Sequence, residues 1–541
     1  MSTNILANLS NEPVLDYAPG SEERIQLKAA LKEAYSYQVD IPMYIDGKRV
    51  FTNHKIAITP PHDHQQLVGF FSRGTKAHVE QAIEAALNAK AKWAAMPAED
   101  RAIIFLRAAD LIAGPYRAKM NAATMIGQSK SVYQAEIDSA CELTDFLRFN
   151  VKYLYDIYAI QPQSPKGIQN HMEYRPLEGF VYALTPFNFT AIGGNLPCAP
   201  ALMGNTVVWK PAETQIYSAH VFMEILLEAG LPEGVINMVY VDGIEAGDVL
   251  FNHYDFGGLH FTGSTKVFRE IWKTIGNNLG KYKGFPRIVG ETGGKNFVLA
   301  HPTANVKALA TALIRGAFEY QGQKCSAASR AYIPSSLWEE LKGLLLDDLK
   351  KIKMGPVEDF SNFMNAVIDE KAFGRIAAYL DNARRSDKVE FIFGGKCDKS
   401  KGYFIEPTVL LTKDPFYVTM CEEIFGPVLT IFVYEPIDYD RILRLIDASS
   451  PYALTGAFLA EDRGAVDHAL KTFYNTAGNF YINDKPTGAV VDQQPFGGAR
   501  ASGTNDKAGS MINLLRWVSP RAVKENMNPP TDFTYPFMRE E

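Results

Sequence analysis

The sequence has no CxxC pair. Its five cysteines, Cys141, Cys198, Cys325, Cys397 and Cys421, are odd in number and widely spaced. That excludes a disulfide framework and a zinc–thiolate site, and a reducing compartment is expected. No apolar run is long enough to span a bilayer, so no membrane partner is expected. There is no surplus of positive charge: the formal net charge is −6, which offers no basic face to nucleic acid. The N-terminus lacks the charged and apolar regions of a secretory signal, and it carries Glu12 and Asp16 with no arginine before Arg24. A cytoplasmic protein is expected, with the mitochondrial matrix as the alternative for a processed form. Repeats and low-complexity tracts are absent, and so is a GxGxxG signature. Gly290-Glu-Thr-Gly-Gly-Lys-Asn296 only mimics a P-loop: Val289 stands where glycine is needed, and Asn296 where Ser or Thr is needed.

What remains is a long chain of ordinary globular composition, with 541 residues and 47% hydrophobic content, so two or three lobes are expected. Residues 1–40 read as an arm with one helix near Glu22–Tyr35, and Asp46-Gly47 as the turn of a hairpin. His62-Asp63-His64 reads as a solvated loop, since no third ligand is near. Apolar residues at helical spacing predict helices from Thr75 to Pro97 and up to Gly114-Pro115. A third, long helix is predicted from about Met120 to Tyr158.

From Gly179 onward short apolar strands alternate with helices. Strands are expected at Phe180–Thr185, Thr206–Trp209, Val235–Val241, Gly258–Thr262, Arg287–Gly290 and Asn296–Ala300. Helices are expected at Gly194–Met203, despite Pro197 and Pro200, at Ser218–Ala229 and at Thr265–Ile275. This alternation predicts an α/β fold with a parallel sheet covered on both faces, and ligands at the carboxyl ends of its strands. A second βα-rich lobe follows to about Asn479, with strands at Phe391–Phe393, Ile405–Leu411, Val428–Tyr434 and Gly456–Leu459. The tail from Pro520 is rich in proline and aromatics and reads as an arm or strand that packs on a partner.

Four local features carry possible chemistry. Cys325 sits at a helix-to-strand junction beside Lys324, where partial exposure and positive charge would favour the thiolate. Read alone, it is more readily a small buried apolar residue. Gly263-Ser264-Thr265 follows a strand and opens a helix, a place where free N–H groups can hold phosphate, although many α/β turns look alike. Glu291 ends a strand, as a general base would, or serves as a helix cap or in a surface ion pair. Asn188 could aim its amide at an oxyanion, or simply form a turn. Together a thiol, a carboxylate, an amide and a phosphate turn suggest oxidation through a thioester.

Six stretches in order resemble the NAD(P)-dependent aldehyde dehydrogenase superfamily over about Pro42 to Trp517. They are Thr185-Pro-Phe-Asn-Phe-Thr190, Trp209-Lys-Pro-Ala-Glu213, Phe261-Thr-Gly-Ser264, Gly290-Glu-Thr-Gly-Gly-Lys-Asn296, Gly322-Gln-Lys-Cys325 and Glu423-Ile-Phe-Gly-Pro427. Within that superfamily, Asn195 to Gly204 and Gly488 to Asn505 are similar to the 1-pyrroline-5-carboxylate dehydrogenase family. The resemblance implies a Rossmann-like NAD-binding domain, an α/β catalytic domain and a small β oligomerisation flap. It places them at 41–160 with 174–290, at 291–480, and at 161–173 with 505–541. It implies NAD-dependent oxidation of L-glutamate γ-semialdehyde to glutamate, in the second step of proline breakdown, by a homodimer or larger homo-oligomer. A dehydrogenase of another semialdehyde is the alternative. The chain is too short to carry the fused proline dehydrogenase of bifunctional relatives, so a monofunctional enzyme is expected.

By motif, Cys325 would be the nucleophile, Glu291 the base that activates water, and Asn188 with the Cys325 N–H the oxyanion donors. Lys210 and Glu213 would hold the adenine ribose, with Glu213 favouring NAD over NADP. Thr185 and the turn Gly263, Ser264, Thr265, Lys266 and Val267 would meet ribose or phosphate, and Glu423 the nicotinamide ribose. Ser326 with the backbone at Gly488 and Ala489 would grip the substrate carboxylate, while Phe189 and Phe496 would pack its chain. Glu142 would also touch the substrate. Phe268 stands where many superfamily members have glycine, and Ala489 where relatives carry serine. No metal is implied.

Overall fold

The computed structural model describes residues 9–540. The first eight residues of the N-terminal arm lie outside them. Two seven-stranded sheets carry the molecule. The first runs in the order Arg287–Glu291, Phe256–Thr262, Phe180–Leu184, Val207–Lys210, Ile236–Met238, Met43–Ile45, Lys48–Val50. Its first five strands are parallel, and the expected hairpin about Asp46-Gly47 adds the last two antiparallel. Phe180–Ala183 and Val207–Lys210 are buried throughout, as a strand covered by helices on both faces requires. Register fixes the site: Leu184 lies opposite both Lys210 and Phe261, and Thr262 lies opposite Glu291. The carboxyl ends of four strands therefore share one edge, with Thr185, Lys210, Gly263 and Glu291 along it.

The second sheet runs Val389–Phe393, Thr408–Thr412, Val428–Tyr434, Arg330–Pro334, Phe297–Ala300, Thr455–Leu459, Asn479–Ile482. Only its first strand is antiparallel. The strand at Asn479–Ile482 was not expected, and the strand expected at Ile405–Leu411 is broken into Phe404–Ile405 and Thr408–Thr412. Pro407 between them has no N–H for a ladder. The chain crosses from the first sheet to the second through Thr292–Asn296, so that first edge faces the start of the second sheet. A separate ribbon pairs Ile168–Pro176 with Val518–Asn526 in nine antiparallel pairs.

The helix Thr190–Leu202 does contain Pro197 and Pro200. Proline at 200 has no N–H for the Leu196 carbonyl. That carbonyl instead accepts from His260 Nδ1 at 2.9 Å, across from the neighbouring strand. Pro200 is thus tolerated because a tertiary donor satisfies the freed carbonyl.

Two expectations fail here. The long helix from Met120 to Tyr158 is interrupted: Arg117–Gln128 ends at Ser129, which has φ 53°. The chain resumes with Val132–Ala135, a π-helical turn at Glu136–Glu142, and Leu143–Tyr158. The cause is a buried charge pair. Lys130 is fully buried and donates to Asp138 at 2.6 Å. Asp138 in turn accepts the N–H groups of Thr190 and Ala191, at 2.9 and 2.8 Å, at the start of the proline-bearing helix. His62 is not in a solvated loop. It is buried, with Tyr35 at 3.1 Å and Ser129 at 3.2 Å on its two ring nitrogens and Glu358 beside it. Among the described residues no helix is long and apolar enough to cross a membrane, and no cluster of metal-ligating side chains occurs.

Candidate active site

Cys325 follows the helix Val306–Phe318 and precedes the strand Arg330–Pro334, as expected. The link between them is strained. Tyr320, Gln321 and Gly322 all take positive φ, at 52°, 55° and 66°. Side chains rarely adopt that region, and each non-glycine residue there costs about 1–3 kcal/mol. The surroundings hold it in place. Gln321 donates to Ser129 O and Ala366 O at 2.9 and 2.8 Å and accepts from Asn365 N at 3.0 Å. Asn296 Nδ2 donates to the carbonyls of Cys325 and Ala327 at 2.7 and 2.9 Å. Gly322 is pressed so close to Gly426 that a Cβ would collide with its carbonyl. The nucleophile candidate is therefore presented by an over-determined turn.

A cavity of about 340 Å³ lies in front of it. Cys325, Glu291, Ser326, Gly488, Ala489, Phe189, Phe496 and Glu142 all line it. Eight residues from six separated stretches of sequence are thus brought together. Ser326 shares a 2.7 Å hydrogen bond with Thr487, and Gly488 has φ 94°, a backbone that glycine alone adopts without strain. Lys485 lines the same wall; a Cβ at Gly488 would lie 3.5 Å from its ammonium. Thr487 and Lys485 were not expected. They belong to the segment just before the Gly488 motif, so adjacency in sequence was the available signal.

The electrostatic expectation for Cys325 is overturned. The half-buried thiol is pushed up to about 12, by burial first and then by Glu291 and Glu423. Lys324 is already engaged elsewhere: it is buried, paired with Glu319 at 3.2 Å, and burial lowers its own pKa. Asn188 is buried outside the cavity wall and donates to the Gln323 carbonyl at 3.1 Å, two residues before the thiol. Glu142 is pushed up to about 8 by burial and by the charge of Asp138.

Glu291 Oε2 accepts from Gly498 N at 2.9 Å, and Oε1 finds no partner among the described residues. Burial raises its pKa well above the carboxylate range, opposed by the Gly498 N–H and by Lys507. Lys507 is itself fixed on the carbonyls of Gly478 and Gly497 at 2.7 and 3.0 Å. One carboxylate oxygen is therefore tethered and the other is free to take a proton.

The cofactor candidates lie along the shared edge. Thr185 Oγ1 accepts from Trp209 Nε1 at 3.1 Å. Lys210 is buried, which lowers its pKa against the pull of Glu213 and Asp242. Glu213 is paired with Arg73 at 2.5 Å, a partner that sequence spacing did not reveal. Ser264 caps the helix Thr265–Asn277 by accepting from Val267 N at 3.3 Å. The first N–H groups of that helix, at Thr265 and Lys266, have no intrahelical acceptor and suit a phosphate. Phe268 stacks on Phe261 with ring centroids 5.2 Å apart, and a Cβ at Gly290 would collide with it. Glu423 Oε1 accepts from Gly294 N at 2.8 Å, and a Cβ at Gly293 would strike the carboxylate. An acid, a buried lysine, a helix start with free N–H groups and a second carboxylate form a donor set that fits a dinucleotide.

Comparison with known proteins agrees with this geometry. The model of the aldehyde dehydrogenase family matches residues 50–523. The chain is 52% identical over 531 residues to the mitochondrial delta-1-pyrroline-5-carboxylate dehydrogenase of Dictyostelium discoideum, covering 98% of this chain and 95% of that one. It is 48% identical over 532 residues to the human mitochondrial enzyme of that name, covering 98% and 94%. A crystal structure of the delta-pyrroline-5-carboxylate dehydrogenase of Mycobacterium tuberculosis bound with NAD superposes with a TM-score of 0.95 at 51% identity, covering 98% of each chain. The chain belongs to the aldehyde dehydrogenase family.

Proposed function

We propose that this protein oxidises L-glutamate γ-semialdehyde, the open form of 1-pyrroline-5-carboxylate, to L-glutamate with NAD, in the breakdown of proline. The observation that carries the reading is one cavity lined at once by Cys325, Glu291 and the group Ser326, Thr487, Gly488 and Ala489. A thiol and a base suit aldehyde oxidation. Backbone N–H groups at a left-handed glycine, a hydroxyl pair and Lys485 suit the carboxylate at the other end of a five-carbon acid.

Cys325 Sγ attacks the aldehyde carbon. Its proton must leave against an unfavourable environment and passes to solvent before the carbon–sulfur bond forms. The oxygen that becomes negative is met by the Cys325 N–H and the second N–H of the Asn188 amide. Phe189 and Phe496 pack the methylene chain and exclude water. NAD, when bound, supplies the hydride acceptor. Lys210 and Glu213 would hold its adenine ribose, Thr185 and the turn from Gly263 to Val267 its ribose and phosphates, and Glu423 its second ribose. The acyl group is left on Sγ as a thioester, and Glu291 takes a proton from the water that cleaves it, releasing glutamate.

The first sheet with its helices is the cofactor domain and the second sheet the catalytic domain. The ribbon of Ile168–Pro176 and Val518–Asn526 is the flap of a homodimer or larger assembly, where pairing would cover its open edges. The names of several relatives place them in mitochondria, so the matrix is as fitting a compartment as the cytoplasm.

The test is NADH formation with 1-pyrroline-5-carboxylate beside succinate semialdehyde, propanal and a control lacking NAD. A strong preference for the five-carbon acid is expected. Better turnover of other aldehydes would keep the chemistry and refute the substrate.

A further inference from the structure

The stretch before the first helix runs back across the molecule to the substrate cavity, and Asn11, Glu12 and Val14 form part of its lining. Its attachments are dense. Glu12 accepts from Arg117 at 2.6 Å and Arg148 at 2.7 Å, and its N–H donates to Asp145 at 2.7 Å. Arg117 also holds the Pro13 carbonyl at 2.7 Å. Leu15 N and the Tyr17 hydroxyl donate to the buried Glu136 at 2.9 and 2.7 Å. So much polar tethering fixes the arm rigidly on the π-helical turn and on the helix after it.

Asn11 then reaches from this fixed arm to the loop after Ala489. Its amide donates to the Val491 carbonyl at 2.8 Å and to Asp145 at 2.9 Å, and its oxygen accepts from Gln493 at 2.9 Å. Every polar atom of the amide group is used, and two of the three bonds go to the loop. The loop needs such support. Asp492 stands at φ 69°, a region that a non-glycine residue keeps only when its surroundings hold it there. Its other tethers include the Tyr153 hydroxyl, which donates to Asp492 at 2.5 Å, Lys152, which pairs with Asp492 at 3.8 Å, and Asn479, which donates to the Pro495 carbonyl at 3.0 Å.

We propose that the N-terminal arm is a strap that fixes the loop carrying Gly488 and Ala489, with Asn11 as its positioning residue for the end of the substrate remote from the aldehyde. This rests on the substrate reading above. Asn11 acts through the loop and touches none of the reacting atoms. Loosening it therefore weakens recognition of the carboxylate and leaves aldehyde chemistry alone.

The test compares Asn11→Ala with the unaltered protein on two substrates, glutamate semialdehyde and propanal, which has no carboxylate. Loss of two loop hydrogen bonds predicts a fall of about tenfold in kcat/KM for the acid, mostly as a rise in KM, with propanal within about twofold. Gln493→Ala removes part of the same link from the loop side, and the double variant should be no worse than Asn11→Ala alone. Equal losses on both substrates would make the arm a general stabiliser and overturn the proposal. So would an unchanged preference for the acid. If the unaltered protein itself shows no preference for the acid, the substrate reading falls and takes the strap with it.

Discussion

Asn188→Ala separates two jobs of one amide, the tether seen in the structure and the oxyanion contact proposed above. Its Nδ2 carries two hydrogens. One is spent on the Gln323 carbonyl at 3.1 Å, two residues before the thiol. The other, on the proposed mechanism, meets the oxyanion. Losing an oxyanion donor costs about 3 kcal/mol of transition-state stabilisation, or roughly a hundredfold or more in rate. Losing the tether leaves the carbonyl of fully buried Gln323 short of its donor, which costs about 1–3 kcal/mol, charged to stability. The strained turn has further anchors in Gln321 and Asn296, so the thiol should stay in place. The variant should thus lose roughly a hundredfold or more in kcat/KM for glutamate semialdehyde, while alkylation of Cys325 by iodoacetamide changes less than about threefold. A loss below about tenfold in kcat/KM would refute the oxyanion role. A parallel collapse of alkylation would mean that the amide serves only to place the turn.

Other outcomes follow from the same geometry. Because the Cys325 thiol sits at about 12, its thiolate fraction rises with pH across the whole neutral and mildly alkaline range. Alkylation of the cofactor-free protein, followed by mass spectrometry, should therefore rise roughly tenfold per pH unit from 7 to 10, and a plateau near pH 8 would contradict the burial argument. Glu291→Gln keeps the shape but removes the base; an acyl adduct on Cys325 should accumulate in the intact mass after one turnover, and steady turnover without an adduct would reassign the base. Glu213→Ser removes the acid and leaves Arg73 unpaired at the same place, so kcat/KM with NADP should improve at least about tenfold; no gain would show that Glu213 does not face the ribose.

The strands of the first sheet were legible in the sequence because their residues are apolar on both faces, and the turns between them carry glycine or proline. Observed bounds differ from the reading by a residue or two at Phe180–Leu184, Val207–Lys210 and Phe256–Thr262. The site residues were legible only through motif resemblance, since convergence of Cys325 with Gly488 depends on how two distant segments fold together. The break at Ser129-Lys130-Ser131 was illegible for a related reason. Apolar spacing continues on either side of it, and nothing in the local sequence says that Lys130 is buried against Asp138. Lys324 misled in the same way: adjacency suggested a field at the thiol, whereas Glu319 already takes its charge. Pairings of charge are properties of the folded neighbourhood, and a window of sequence does not contain them.

The contact of Phe268 with Gly290 has a mechanical meaning. Phe268 belongs to the helix whose start would receive the phosphates, and Gly290 is the residue just before Glu291. The ring rests where Gly290 has no side chain, so the height of that helix above the sheet depends in part on one aromatic ring bearing on one bare backbone, beside the buried Ile271 and Ile275. A smaller residue at 268 would let the helix sink, and a methyl group at 290 would lift it. Either would change the spacing between the cofactor's anchoring end and the carboxylate that must act beside it. Phe268 thus acts as a spacer between the two ends of the proposed site.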